Sequence, residues 1–318
     1  MSGARTRSAG PSATPALRGL VGMSALAATV WAFPQEQPSR FSVDVNAVAL
    51  DVVVTDQKGR FVKGLEEDDF LILEDGVPQE LSYFTSAATP VTVLLLLDSS
   101  SSVRSHLREV QKAANRFIDK LERGDQARIG LFHSEVIFGP SFTDDMKQHM
   151  AMIKQMRPQR STLLYDALLA ALGELAPISD RRALLVFTDG DDGGSQASME
   201  DALEAARRSQ ATIYTVGLLG WNDEEGMNTN ERLLTQISEY TGGRAFFPTD
   251  EDQMNSAFDR IQDELHRQYR MVYFPKDSEN RSDWHDVEVR MSQRGNLVVR
   301  TRLGYYSGPA RDALIPSQ

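Results

Sequence analysis

The sequence contains no cysteine, which excludes disulfide bridges, thiolate nucleophiles and cysteine-ligated zinc but leaves the compartment open. Histidine is scarce and scattered: His106, His133, His149, His266 and His285 form no His-Glu-x-x-His helix. There is no Gly-x-Ser-x-Gly elbow and no Walker phosphate loop either, so the common hydrolase and nucleotide-binding signatures are missing. Positive charge is also short. With 34 Lys and Arg against 45 Asp and Glu, the formal net charge is -11, and a nucleic-acid surface, which needs a basic footprint, is excluded. Such a chain is better matched to cations than to polyanions. Beyond the N-terminal segment, no run approaches the ~20 apolar residues needed to span a bilayer.

What is present starts with a size of 318 residues at 41% hydrophobic content, enough for one large domain or two modest ones. Arg5, Arg7 and Arg18 precede the apolar run LVGMSALAATVWA at 20–32. This reads as a secretory signal peptide over 1–32 with Val30-Trp31-Ala32 as the cleavage site; an uncleaved anchor is the competing reading. Without cysteine there is no lipid attachment point at that site.

From residue 41 the pattern is that of strands. Residues 41–45, 48–54, 61–62, 70–73 and 79–84 are strand-like, with a tight turn at Glu74-Asp75-Gly76, and they predict a small antiparallel module with too few strands to close a core alone. Between 91 and 269 strands and helices alternate. Strands are expected at 91–97, 127–132, 135–138, 183–187, 212–216 and 245–247. Helices are expected from Val103 to Leu121, from a Thr143 or Asp144 cap to Met156, and over 163–175, 198–209, 231–240 and 250–269. That alternation predicts a doubly wound α/β domain on a mainly parallel sheet. Strands return at 270–274, 286–291, 297–302 and 305–306. The α/β domain is therefore expected as an insertion in an antiparallel β-sandwich whose halves are 41–90 and 270–307, with separate β modules as the competing arrangement and a disordered tail at 308–318.

Two of the buried strands end abruptly on a carboxylate. After VTVLLLL at 91–97 come Asp98, Ser100 and Ser102 at every second position, a spacing that in an extended loop turns three hard oxygen donors to one side and suits Mg²⁺ or Ca²⁺. A serine-rich turn capping the next helix is the plainer alternative. ALLVF at 183–187 likewise runs into Thr188-Asp189-Gly190. Ligands of open parallel sheets bind beyond the carboxyl ends of the strands, where strand order reverses, so Asp98 and Asp189 are expected in one crevice, with Thr162 reaching it from the loop before its helix. Asp191 and Asp192 either add charge behind these groups or form a solvated turn. Residues 220–230 form either a specificity loop, with Trp221 and Met227 for apolar contact, or a mobile acidic loop.

Asp98-x-Ser100-x-Ser102, Thr162 and Thr188-Asp189-Gly190 on this strand–helix order resemble the von Willebrand factor type A domain and its metal-ion-dependent adhesion site. The flanks, including Asp69-Phe70, Leu73-Glu-Asp-Gly76, Tyr214-Thr-Val-Gly217, Thr241-Gly-Gly-Arg-Ala-Phe246 and Gly304-Tyr-Tyr306, resemble a bacterial subgroup called VWFA-related domain proteins. The chain departs from many relatives in carrying Ser101 and Ser161 where glycine is common. The resemblance implies a Mg²⁺ site, with Mn²⁺ or Ca²⁺ as substitutes, whose ligands are Asp98, Ser100, Ser102, Thr162 and Asp189, some acting through water. An incompletely coordinated ion would accept an acidic residue from a protein partner. Glu224 or Glu225 is a candidate to fill that position when no partner is bound, and Lys154, Arg157 and Arg160 either steer an acidic partner or form a solvated face. The expected protein is thus an exported, non-enzymatic binding protein of the periplasm, envelope or exterior. A metal-dependent hydrolase or transferase using the same oxygens, and a metal-free scaffold, are the alternatives.

Overall fold

A computed structural model describes residues 47–159, 161–218, 227–276, 284–292 and 295–307, without the side chains of 227–229. The expected leader, Arg160, the 220–226 stretch with Trp221, Glu224 and Glu225, the Met227 side chain and the 308–318 tail lie outside them. The chain divides into two units, 1–44 and 45–318, and every described residue belongs to the second. Among the described residues no helix is long and apolar enough to cross a membrane.

The N-terminal strands are β1 (Val48–Thr55), β2 (Phe70–Glu74), β3 (Val77–Gln79) and β4 (Leu81–Thr85). The expected strand at 79–84 breaks at Glu80: β3 and β4 enter different sheets. Phe61 makes only an isolated bridge to Thr55.

The α/β region comes next, with strands β5 (Thr92–Asp98), β6 (Gln126–Phe132), β7 (Val136–Phe138), β8 (Arg182–Thr188), β9 (Thr212–Gly217) and β10 (Ala245–Phe246). Its helices are α1 (Leu107–Asp119), α2 (Met146–Ile153), α3 (Leu164–Leu175), α4 (Met199–Arg208), α5 (Met227–Tyr240) and α6 (Glu251–His266). Three helix starts differ from expectation, α5 beginning at Met227 rather than at 231. Residues Ser102–His106 form a 3-10 turn ahead of α1, and α2 is capped by Asp145, whose carboxylate accepts the Lys147 amide, because Thr143 is occupied in a bridge to Ala127. Strands β11 (Tyr269–Tyr273), β12 (Trp284–Met291), β13 (Val298–Arg300) and β14 (Gly304–Tyr306) end the fold.

The central sheet has the order β10-β9-β8-β5-β6-β7, parallel except for β7. Alternation along β5 divides its core. Val93, Leu95 and Leu97 pack with α1, α2 and α6, while Leu94 and Leu96 pack with α3, α4 and α5. All five are fully buried, and each contributes about 1.5–3 kcal/mol from removing its side chain from water. The chain leaves β5 toward β6 on one side and later returns to β8 on the other, so strand order reverses between β5 and β8.

The remaining strands form two antiparallel sheets, β13-β1-β11-β4 and β14-β12-β2-β3, which share one apolar core including Leu50, Val52, Ile72, Met271 and Val289. Strands from the two flanks interleave in the first sheet and meet at the β12–β2 pair in the second. The α/β region is inserted between β4 and β11, which are direct neighbours in one sheet.

Candidate metal centre

The switch point between β5 and β8 is where the oxygen donors meet. Asp98 ends β5 fully buried; one carboxylate oxygen accepts the Ser100 amide at 2.8 Å and the other accepts the Thr188 hydroxyl at 2.8 Å. Ser100 and Ser102 lie on the same side with their hydroxyl oxygens 2.8 Å apart, as the alternate spacing predicts. The Ser102 hydroxyl in turn bonds the Asp189 carboxylate. Asp98 and Asp189 are thereby drawn together from opposite sides of the strand reversal.

Thr162 is buried and comes in through its backbone. Its carbonyl accepts the Gly193 amide at 3.0 Å, and the next amide, Leu163, donates to His133 at 3.0 Å. Three residues earlier, Gln159 pairs with Ser100 and donates its amide to Ser99. The loop carrying Thr162 is thus zipped between the loop after β5 and the loop after β8. Both departures from the usual glycines are accommodated. Ser101 has φ −72 and ψ −23, a conformation open to any residue. Opposite Ser161 stands Gly194, where an added Cβ would lie 2.8 Å from the Ser161 hydroxyl.

Sequence alone names Thr188, Asp191 and Asp192 without their bonding roles and misses the role of Asn230. The Thr188 hydroxyl bonds Asp98 and also accepts the Gly190 amide; a threonine closing an otherwise apolar strand beside a carboxylate was the available signal. Asp192 braces the loop after β8, accepting the Ser195 hydroxyl and amide and the Tyr165 amide at the start of α3. Asp191 accepts the Asn230 side-chain amide from α5, and Gly190, at φ +81, leaves no room for a Cβ beside Asn230. Asn230 carried no sequence signal, since its role depends on where α5 packs. Arg157 turns its guanidinium onto the carbonyls of Lys154 and Met156.

Burial and the nearby Asp189 charge push the Asp98 carboxyl up to about 7 against the hydrogen bonds from Ser100 and Thr188. Burial also raises Asp189, opposed by the Ser102 hydroxyl. Among the described residues no lysine or arginine forms an ion pair with either carboxylate, and burial holds the His106 imidazole below its ordinary value. Two clustered carboxylates with an all-oxygen surround and no paired cation fit a hard divalent ion, whose charge would reverse the upward shift.

The sequence model of the von Willebrand factor type A domain matches residues 92–260. No curated protein sequence matches the chain. Among solved structures, the von Willebrand factor domain of a type V pili tip protein from Porphyromonas gingivalis is 14% identical and aligns over 56% of this chain and 96% of its own, with a TM-score of 0.47. A von Willebrand factor type A protein from Catenulispora acidiphila is 13% identical over 84% of this chain and 76% of its own, at 0.47. Proximal thread matrix protein 1 from the mussel byssus, solved with a zinc-occupied metal-ion-dependent adhesion site motif, is 16% identical over 60% and 48%, also at 0.47. Because the matched segment takes in just over half of the chain and contains both carboxylate-bearing strands, the chain belongs to the von Willebrand factor type A domain family.

Proposed function

We propose that this is an exported protein that binds a protein partner through a divalent cation held by Asp98, Ser100, Ser102, Thr162 and Asp189. The observation that carries the reading is the convergence of Asp98 and Asp189, linked through Thr188, Ser100 and Ser102, with no basic residue paired to either among the described residues. Mg²⁺ suits this donor set best, with Mn²⁺ or Ca²⁺ as substitutes. When bound, such an ion supplies an electrophilic position for an acidic side chain of the partner. Thr188 holds the Asp98 carboxylate in place, Asn230 and Asp192 hold the loop bearing Asp189, and the serine pair bridges the two carboxylates. Strands β1–β4 and β11–β14 form the sandwich that presents the 91–269 domain. The apolar segment at 20–32, behind its arginines, supports export to the envelope or beyond.

Calorimetric titration with MgCl₂ should show one equivalent bound by the native chain and none by Asp98→Ala at unchanged circular dichroism. Capture of a partner from envelope extracts should disappear with EDTA. Mg²⁺ binding that survives Asp98→Ala would sink the proposal. A screen against phosphoesters separates it from a metal-dependent hydrolase, and on the binding reading no turnover depends on Asp98.

A further inference from the structure

The β-sandwich holds a second group of metal-ligating side chains, independent of the adhesion-site reading. Glu74 ends β2, Asp75 opens the turn to β3 with φ +49, and His285 lies near the start of β12. Antiparallel pairing of β2 with β12, Glu74 opposite Val287, and reciprocal bonding between Asp75 and Asp286 bring them together. Glu74, Asp75 and His285 each place one ligand atom within 4.8 Å of the others. Nδ1 stands 2.7 Å from Asp75 Oδ2 and 4.0 Å from Glu74 Oε1.

Glu74 is only 5% exposed. Its Oε2 accepts hydroxyls from Tyr273 and Tyr305, whereas Oε1 faces the imidazole at 4.0 Å, beyond hydrogen-bond reach. A cation between Oε1 and Nδ1 would hold the two together across that 4.0 Å gap.

We propose that Glu74 Oε1, Asp75 Oδ2 and His285 Nδ1 bind one first-row transition-metal cation of the Zn²⁺ class. Two ligand atoms each ~2.1 Å from a tetrahedral ion are about 3.4 Å apart, and the observed 2.7 and 4.0 Å straddle that separation. The imidazole nitrogen favours zinc, nickel or copper over magnesium and calcium, in contrast to the all-oxygen centre. Tyr273 and Tyr305 fix the Glu74 carboxylate, and Ser307, 3.0 Å from Nε2, fixes the ring, as the groups behind metal ligands do. Such an ion would fasten the β2–β3 turn to β12, joining strands from opposite ends of the chain.

The test uses the full-length Asp98→Ala protein, which lacks an intact all-oxygen centre, titrated with ZnCl₂ by calorimetry near neutral pH and followed by thermal melting. One equivalent should bind and raise Tm, MgCl₂ should do neither, and His285→Gln should weaken zinc binding by ~10-fold or more. Asp75→Asn, on an exposed turn, should do the same and covers the case in which the His285 variant does not fold. Absence of zinc binding, or binding unchanged by the substitutions, would overturn the proposal and leave a plain His285–Asp75 hydrogen bond. The adhesion-site reading is tested separately, by MgCl₂ titration of the native chain.

Discussion

Strands of the α/β region and strands of the sandwich bury themselves differently. Along β5 every residue from Val93 to Asp98 is buried, and β8 matches it from Ala183 to Thr188. Along β11 burial alternates, with Tyr269, Met271 and Tyr273 inside and Arg270 and Val272 partly out; β12 alternates in the same way over Val287 and Val289. Helices cover both faces of the first sheet, whereas β11 and β12 each turn one face to the sandwich core and the other outward. A strand that is apolar throughout has nowhere to place a polar group except at its end. The oxygen donors therefore collect at the tips of β5 and β8. The sandwich instead keeps polar groups along its strands, as with Arg270 in β11 and Glu288 in β12.

Truncation inside the parallel sheet tests this contrast most severely. Leu95→Ala should destabilise the protein by about 2–5 kcal/mol in urea unfolding, since the fully buried site leaves a cavity. A loss of only a few tenths would mean that β5 is less tightly enclosed than its neighbours.

Next comes the carboxylate at the tip of that strand. Because the Asp98 pKa is raised from 3.8 to about 7, its contribution to stability is fully present below pH 3.8 and is lost as pH rises through about 7. Without metal, Tm should fall between about pH 4 and 7 and level off above that. Asp98→Asn should remove that part of the fall and stabilise the metal-free protein at about pH 8 by on the order of a few kcal/mol. Mg²⁺ should flatten the native profile and leave the variant unaffected. An identical pH profile for the two metal-free proteins would contradict the assignment.

At the opposite end of the same sheet, His266 closes α6 and bonds Asp125 at 2.8 Å, while Asp125 also accepts the Val91 amide just before β5. Although burial works against it, the Asp125 hydrogen bond and charge raise the His266 pKa above 6.5. The contribution is therefore present below 6.5 and lost as pH rises through the higher folded value. His266→Ala should cost about 1.5–3 kcal/mol near pH 6 and less near pH 9, measured by urea unfolding at both. A cost that does not change with pH would show that only packing is lost.

The smallest effect belongs to the outer face of the sandwich. Leu71→Ala, between buried Phe70 and Ile72, removes a side chain that is 37% exposed and should shift stability by no more than about 0.5 kcal/mol. A larger change would mean that this face is covered.

Much of the α/β region was legible because periodicity is a local property. The continuous apolar runs at β5 and β8, the amphipathic spacing of α1 and α6, and the alternate Asp98, Ser100 and Ser102 each follow from neighbours within a turn or two. The break at Glu80 was hidden, because 79–84 reads as one strand until two sheets compete for its halves. The 3-10 turn before α1 was hidden as well, since the apolar spacing from Val103 onward is that of a continuous helix.

The sequence by itself determined the composition of the site: which strands are buried on both faces, and that two of them, β5 and β8, end in oxygen donors rather than sulfur or imidazole. Tertiary structure alone decided that Thr188 clasps Asp98, that Asn230 and Asp192 hold the Asp189 loop, and that Glu74 and Asp75 meet His285. The longer of those contacts span from 27 residues, between Tyr165 and Asp192, to 211, between Glu74 and His285. They depend on strand order and on which elements pack together, which local periodicity does not encode.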